Sequence, residues 1–575
     1  MSEAEKLCVL TIDEMAIKPG YTYAADLDCI DGFTTFRQDY KDKPPYATLA
    51  LVFMARGIVK NWKQVLGYYF SSSTDKFSLQ KLVLEAIDIL QSCQLEVVSI
   101  VCDQGPRNQG LFKEMNVTSE NPYFVYKTKR IFAMYDPPHL LKSVRNNLKN
   151  HGIYYEDTSI ANTTRTAFAN WKHIEQLYEM DSKNELRACR KLTKKHIAVS
   201  GLKKMNVKLA AQVLSHSVAS ALNLYILAHK IEEDGKDTMN FVKNMDILFD
   251  TVNSRTLKHQ KKELRAVSKY SCHEEIWKKM VSWIKTWQIH SSKGKKISAP
   301  CKSGWILTLN AFIGICQELL KKNKFVLTNR FNQDVVENTF SSVRRRGGFR
   351  DNPDAYEFRH TIHKVIITNF LKQSIGKNCQ DDDAYALIDF SSFNKNELFD
   401  IIDSGDCVEE SVQDDVGSLN EVALNSVSEN VMCYIAGYFA KKYLSSVACN
   451  KCQKLMTDED KILDNHTVFL YFKEYNDYNS GLKWPAKDLF KYFVNLYACF
   501  MSNFNFFYEK EGISKKFDAV LRNVNVNFFD SHIEHKEKAQ EFFISSFIRM
   551  MIKHKVKMMN DDLKPNFSYK KVKYF

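Results

Sequence analysis

The chain has 575 residues, 45% apolar and 13% aromatic, a composition that excludes a disordered chain and leaves room for roughly three to five domains. Its formal charge is +13, and the acidic residues concentrate in one stretch, so the remaining body is more basic than the total and favours a polyanionic partner. The longest apolar stretch, around Ala47 to Ala55, is too short to cross a bilayer, no signal peptide is visible, and the fourteen cysteines are scattered, which points away from the membrane and toward a reducing compartment, cytosol or nucleus.

Residues 8–12 form a continuous apolar run ending on Asp13, the pattern of a strand buried on both faces. Two strand-like stretches follow, near Tyr21 to Phe36 and Tyr46 to Ile58, and Trp62 beyond them is read as core. Leu79 to Cys93 has the helical period. Residues 96–102 read as another buried strand, ending on Asp103, and Ile131 to Tyr135 as a further one. Asp136-Pro137-Pro138-His139 then combines an N-cap acid with prolines at the first helical positions. This order of elements predicts an α/β fold with an RNase H-like mixed sheet.

From 151 to 325 the sequence turns almost wholly helical, with Val207 to Ala221 and Glu275 to Trp287 as periodic segments. A short helix near 333 follows, with Val336, Phe340 and Val343 as its inward stripe, Arg344, Arg345 and Arg346 in its last turn, and Gly347-Gly348 as its stop. The reading is therefore a catalytic domain in two pieces, 1–150 and 326–378, interrupted by a large all-α insertion at 151–325. An acidic linker at 379–430 and a mainly helical C-terminal domain at 431–575 complete the chain.

Asp13 and Asp103 end apolar strands. If those strands are parallel neighbours, about 4.8 Å apart, their carboxylates converge. With Glu337 contributed from the helix near 333, they would form an oxygen cage suited to Mg²⁺ or Mn²⁺ and to in-line phosphoryl displacement. Asp334 stands three positions before Glu337, on nearly the same face, where two like charges repel unless a cation lies between them. Each acid alone is an ordinary loop or surface residue; the combination in this element order carries the reading.

Residues 11–15, Cys102-Asp103-Gln104-Gly105 with Asn108, residues 136–142, and Asn332-Gln333-Asp334-Val335-Val336-Glu337-Asn338 with the following Arg/Gly run together resemble the hallmark segments of P-element-type transposases. The resemblance runs from residue 7 to about 545. It implies a DDE triad of Asp13, Asp103 and Glu337 that cuts and joins transposon ends and target DNA in the nucleus, in a protein that forms homo-oligomers when full-length. It also implies that the insertion binds GTP as a structural cofactor, although no Walker-type glycine loop occurs. By similarity Phe249 stacks on guanine and Asp250 reads its edge. Lys191, Val207, Ser215 and Asn253 supply further contacts, and Asp334 joins the nucleotide site. Asn206 stands where the family more often has a basic residue, which puts one phosphate contact in question. On spacing alone these same positions are helix-packing residues.

Two basic or ionisable features stay open. His139 is either a catalytic or DNA contact or a buried helix-start histidine, and Lys142, Arg145 and Lys149 either track phosphates or form a solvated face. Cys449 and Cys452, with His532 and His535, have zinc-site spacing, against the alternative of free thiols and surface histidines. No THAP-type zinc finger is found near Met1, so the expectation is a truncated gene model, a decayed element copy or a host gene derived from one. The alternative function is a transposase-derived protein that binds DNA or protein without catalysis.

Overall fold

The computed structural model describes residues 1–24, 29–35, 46–72, 76–157, 164–198, 206–291, 294–346, 352–368, 385–386, 426–461, 463–474, 482–508 and 512–563. Gly347, Gly348 and most of the expected acidic linker lie outside them. The chain packs as two compact units. The first comprises Met1–Ile174, Lys194–Ala219 and Asp234–Glu397; the second comprises Glu175–Thr193, Ser220–Glu233 and Leu398–Phe575.

The first unit is built on a mixed sheet. Its strands are β1 (Leu7–Ala16), β4 (Leu49–Gly57), β5 (Trp62–Ser71), β6 (Glu96–Cys102), β7 (Tyr123–Tyr126) and β8 (Lys129–Tyr135), while β2 (Thr22–Ala24) and β3 (Cys29–Asp31) form a separate hairpin. The order across the sheet is β5-β4-β1-β6-β8-β7, with Tyr385–Ala386 at the β5 edge. β1 pairs antiparallel with β4 and parallel with β6, which in turn runs parallel to β8. This is the RNase H-like arrangement that the sequence predicts. Cys8, Val9, Leu10 and Ile12 are all buried, as an apolar run at the centre of a two-faced sheet requires.

Two local expectations need correction. β1 does not end on Asp13 but continues to Ala16, because β4 keeps pairing past the point where the parallel ladder with β6 stops at Thr11. β5 was not foreseen as a strand: Lys63, Gln64 and Gly67 interrupt its apolar pattern, and a half-buried strand tolerates such interruption. Trp62, which opens it, is core.

Helices cover both faces of the sheet. α1 (Lys76–Ser92) packs on β6, α2 (Pro106–Glu114) packs on α1, and α3 (Pro137–His151) follows β8. Within the insertion lie β9 (Ile153–Asp157), β10 (Arg165–Ala169), α4 (Trp171–Asp181), α5 (Lys194–Ile197), α6 (Val207–Val213), α7 (His216–Leu227), α8 (Gly235–Thr251), α9 (His273–Lys285), β11 (Ile289–His290), β12 (Lys296–Ile297) and α10 (Pro300–Leu319). The segment is mainly helical, with two short antiparallel ladders, β9-β10 and β11-β12, too brief to show a strand rhythm. The continuous helix expected over 207–221 is broken at Leu214 and Ser215, where the Ser215 hydroxyl donates to the Gln212 carbonyl, 2.9 Å. α11 (Asp334–Arg346) and α12 (Ala355–Thr368) return to the sheet. Val335, Val336, Phe340 and Val343 of α11 join Phe358 and Ile362 of α12 against Met15, Val52, Met54 and Phe70.

The described C-terminal helices of the second unit are α13 (Ser426–Ser446), α14 (Asn450–Met456), α15 (Val468–Lys473), α16 (Lys487–Phe507), α17 (Ile513–Leu521) and α18 (Ile533–Leu563). Their core is aromatic: Phe493 stacks on Phe439 at 5.6 Å and meets Phe543 at 5.4 Å, and Phe500 stacks on Phe517 at 4.2 Å. Gly437 lets α13 approach the backbone closely, since a Cβ there would lie 2.1 Å from the Lys483 carbonyl oxygen. Among the described residues no helix is long and apolar enough to cross a membrane.

Candidate functional site

The parallel register of β1 and β6 brings Asp13 and Asp103 to the same end of adjacent strands, each two residues beyond the last shared pair, Thr11 and Val101. The loop after β6 holds Asp103 firmly. Its Oδ1 accepts from the Asn108 side chain at 2.6 Å and from the Gly105 amide at 3.0 Å. Asp13 Oδ1 accepts from the Glu14 amide at 2.8 Å, and Glu14 itself is held by Arg107 through two bonds of 2.9 Å.

The third acid arrives on α11, and Gln333 fixes that helix. Its side-chain amide donates to the Ile12 carbonyl at 2.6 Å, and its backbone amide donates to Asp136 Oδ1 at 2.7 Å. Asp136 uses its other oxygen to cap α3, accepting from the His139 amide at 2.9 Å and meeting His139 Nδ1 at 2.7 Å. His139 Nε2 lies 3.5 Å from Glu337 Oε1. Asp136 therefore ties α3 to the start of α11, and the Gln333 side chain ties that start to β1. Sequence reading placed Asp136 only as an N-cap; the Asp-Pro-Pro-His start was the available signal.

The electrostatics follow from this crowding. Burial pushes the Asp13 carboxyl up to about 8, with His139 opposing and Glu337 and Asp103 adding to the rise. Burial also raises Glu337 against the pull of His139. For His139 burial acts downward and is the largest single influence, yet the Asp136 hydrogen bond and the charges of Asp136 and Glu337 together outweigh it, and the imidazole rises to about 9. The family resemblance implies divalent cations here. The donor set fits them: three carboxylates, all oxygen, repel one another enough that a cation among them would relieve the strain of burial.

The basic residues of α3 are not the solvated face that the sequence left open. Lys142 is buried, with burial lowering its ammonium against the attraction of Glu337, Asp136, Asp103 and Asp13. Arg145 is wholly buried, and Lys149 donates to the Ile197 carbonyl at 2.6 Å. α3 is packed on several sides, by α6, α8 and α10 among others, which a periodicity in one strip of sequence cannot reveal. His139 is the largely buried histidine of a capped helix start, and its Nε2 faces Glu337.

The residues expected at a nucleotide distribute as follows. Phe249 and Asp250 end α8 and are half-buried; Asn253 follows, buried, its amide donating to the Asp250 carbonyl at 3.2 Å. Asp250 is ion-paired with Lys261, which also meets Asp246 at 2.5 Å. Burial first, and then Asp246, push Asp250 up to about 7 against the pull of Lys261. Val207 opens α6 and Ser215 opens the turn after it, and α6 and α8 both pack on α3. Asn206 caps α6 by accepting from the Leu209 amide at 3.1 Å. Lys191 is exposed and belongs to the second unit. Asp334 is buried, accepts from the Asn332 side chain at 2.9 Å, and lies 3.4 Å from Arg255 of the insertion. An aromatic face, a shared carboxylate and a buried amide at one helix end fit a purine base.

In the second unit Cys449, Cys452, His532 and His535 converge, each offering a ligand atom within 4.8 Å of the others.

Sequence comparison agrees with this division of labour. Residues 1–116 match the TNP-like RNase H N-terminal domain family, 138–266 the TNP-like GTP-binding insertion domain, 329–361 the TNP-like RNase H C-terminal domain, and 423–558 the C-terminal domain of DNA transposase THAP9. The chain is 28% identical over 545 residues to the transposable element P transposase of Drosophila melanogaster, covering 92% of this chain and 65% of that protein. It is 25% identical over 264 residues to the human DNA transposase THAP9, covering 43% of this chain and 28% of that one. The Drosophila P element transposase strand transfer complex superposes with a TM-score of 0.53 at 28% identity, over 64% of this chain and 78% of that one. The chain thus spans less than two thirds of the length of these two relatives. The chain therefore combines a TNP-like RNase H domain, split by a TNP-like GTP-binding insertion domain, with a THAP9-type C-terminal domain, and along most of its length it is similar to P-element-type transposases.

Proposed function

We propose that this chain is the catalytic core of a DNA transposase that cleaves transposon ends and transfers them to target DNA in the nucleus, with a guanine nucleotide held by the insertion. The observation that carries the reading is the hook of Gln333 on Ile12 and Asp136, which brings Glu337 of α11 to the end of the sheet where Asp13 and Asp103 lie. Asp13, Asp103 and Glu337 would hold Mg²⁺ or Mn²⁺. Such ions would supply activation of the attacking water or 3′-hydroxyl and stabilisation of the leaving oxygen. Asn108 and Gly105 orient the Asp103 carboxylate, the Glu14 amide orients that of Asp13, and His139 holds Glu337 from the α3 side. Arg344, on the last turn of α11, adds positive charge felt at Glu337, where a phosphate backbone would run.

For the nucleotide, Phe249 would stack on guanine and Asp250 would accept from its Watson–Crick edge. Val207, Ser215 and Asn253 would supply the remaining contacts. Asp334, held toward the insertion by Arg255, would link the nucleotide site to the catalytic helix.

The test is strand transfer on terminal-repeat DNA with Mg²⁺ or Mn²⁺ and GTP. Asp13→Ala and Glu337→Ala should each abolish transfer while leaving DNA binding in place. Transfer that survives either substitution sinks the triad. Binding of DNA without any transfer by the unsubstituted protein favours the non-catalytic, host-derived reading.

A further inference from the structure

The Cys449, Cys452, His532 and His535 group stands apart from everything the transposition reading uses. Cys449 Sγ lies 3.3 Å from His532 Nε2, Cys452 Sγ lies 3.2 Å from His535 Nδ1, and the two imidazole nitrogens are 3.1 Å apart. Four neutral or weakly acidic side chains gain little by turning their lone pairs toward one another, so this convergence asks for a shared positive partner. With zinc–sulfur bonds of about 2.3 Å and zinc–nitrogen bonds of about 2.0–2.1 Å, a tetrahedron has S···N edges of about 3.6 Å and N···N edges of about 3.3 Å. The observed edges are within a few tenths of these.

The local folds explain how the set is delivered. Cys449 is the N-cap residue of α14 and Cys452 sits in its first turn, so their three-residue spacing puts both sulfurs on one face. His532 ends the 3₁₀ turn Asn527–His532 and His535 lies in the first turn of α18, which repeats the device with nitrogens. Cys452 and His532 are buried, and Phe529 lies parallel to the His532 ring at 6.5 Å. α14 has only seven residues, too few for a stable helix by itself, and it packs on that same 3₁₀ turn.

We propose that the second unit carries a structural zinc ion bound by Cys449 Sγ, Cys452 Sγ, His532 Nε2 and His535 Nδ1, stapling α14 to the start of α18. Two sulfurs and two nitrogens fill a tetrahedral shell and leave no open position for a substrate, which makes the site structural and not catalytic. The same soft donors separate it chemically from the oxygen-only acids of the first unit. The staple joins positions 83 residues apart in each Cys–His pair, so the bound ion closes a long loop of the aromatic helical core.

The full chain, purified in reducing buffer without chelator, should contain close to one zinc per chain by elemental mass spectrometry. Replacement by Co²⁺ should give the intense thiolate charge-transfer and visible d–d bands of a tetrahedral S₂N₂ centre. Cys449→Ser and His535→Gln should each cut metal content roughly tenfold or more and lower the thermal midpoint, whereas Cys93→Ser, an exposed cysteine elsewhere, should change neither. If Cys449→Ser yields no soluble protein, His535→Gln supplies the measurement, since it leaves both sulfurs intact. A folded chain that holds no zinc and takes up no Co²⁺, or one in which Cys449 and Cys452 are joined as a disulfide in the reducing buffer, overturns the proposal. Strand-transfer activity plays no part in these readouts, so the outcome is independent of the transposase reading.

Discussion

Gln333 makes two buried contacts, one from its side chain to the Ile12 carbonyl in the central strand and one from its backbone amide to the cap of α3. Gln333→Ala should leave the Ile12 carbonyl without its donor and cost about 1–3 kcal/mol, seen as a lowered thermal midpoint of the first unit. Transfer activity should fall by more than the stability loss explains, because Glu337 then loses the hook that sets its position; equal losses in the two would make Gln333 a stability residue only. Asp250 gives a second residue-scale test. It shares Lys261 with Asp246, so Asp250→Ala leaves the lysine paired and the helix end intact. Guanine-nucleotide binding should nevertheless drop about tenfold or more, measured by calorimetry against adenine nucleotide as control. Retained binding would remove the nucleotide role from this carboxylate.

Elements divide sharply in how well they could be read before the fold was known. β1, β6, β8 and α11 carry continuous apolar runs or clean periodicity, and their positions follow directly. β5 and the two insertion ladders do not, since a half-buried or two-residue strand leaves no periodic trace. Asp13, Asp103 and Glu337 were singled out from strand ends and family likeness, while the burial of Asp136 and Lys142 was not legible. Their environment is made by helices that approach from more than a hundred residues away in sequence. α13 offers the element-scale prediction. Gly437→Val would press a branched side chain into the Lys483 carbonyl, an overpacking cost of about 1–3 kcal/mol or more. The thermal midpoint of the C-terminal helices should drop, followed by their far-ultraviolet circular dichroism; an unchanged midpoint would mean that the segment before α16 moves aside freely.

At the scale of the whole molecule, charge dominates. With a formal charge of +13, association with DNA should be steeply salt-dependent, falling on the order of a thousandfold between about 50 and 200 mM monovalent salt if half a dozen or more phosphates are engaged. Fluorescence anisotropy with a labelled duplex would measure the slope, and a flat response would exclude backbone neutralisation as the source of affinity. Buried His273 adds a pH effect of known sign. Burial depresses its folded pKa below the ordinary histidine value, so between the two the unfolded chain binds the extra proton. This group's contribution is present above about pH 6.5 and is lost as the pH falls through that value toward its depressed one. His273→Gln should accordingly flatten part of the acid-side decline in the melting temperature.

The contact from Gln333 to Ile12 spans 321 positions, and it has a consequence for the order of events during synthesis. The ribosome delivers Asp13 and Asp103 early, together with the strands that hold them, yet the third acid emerges only after the whole insertion has been made. A nascent chain that ends before Gln333 lacks the hook between Ile12 and Asp136, so if the three acids form the proposed cage, partial products cannot complete it until α11 docks.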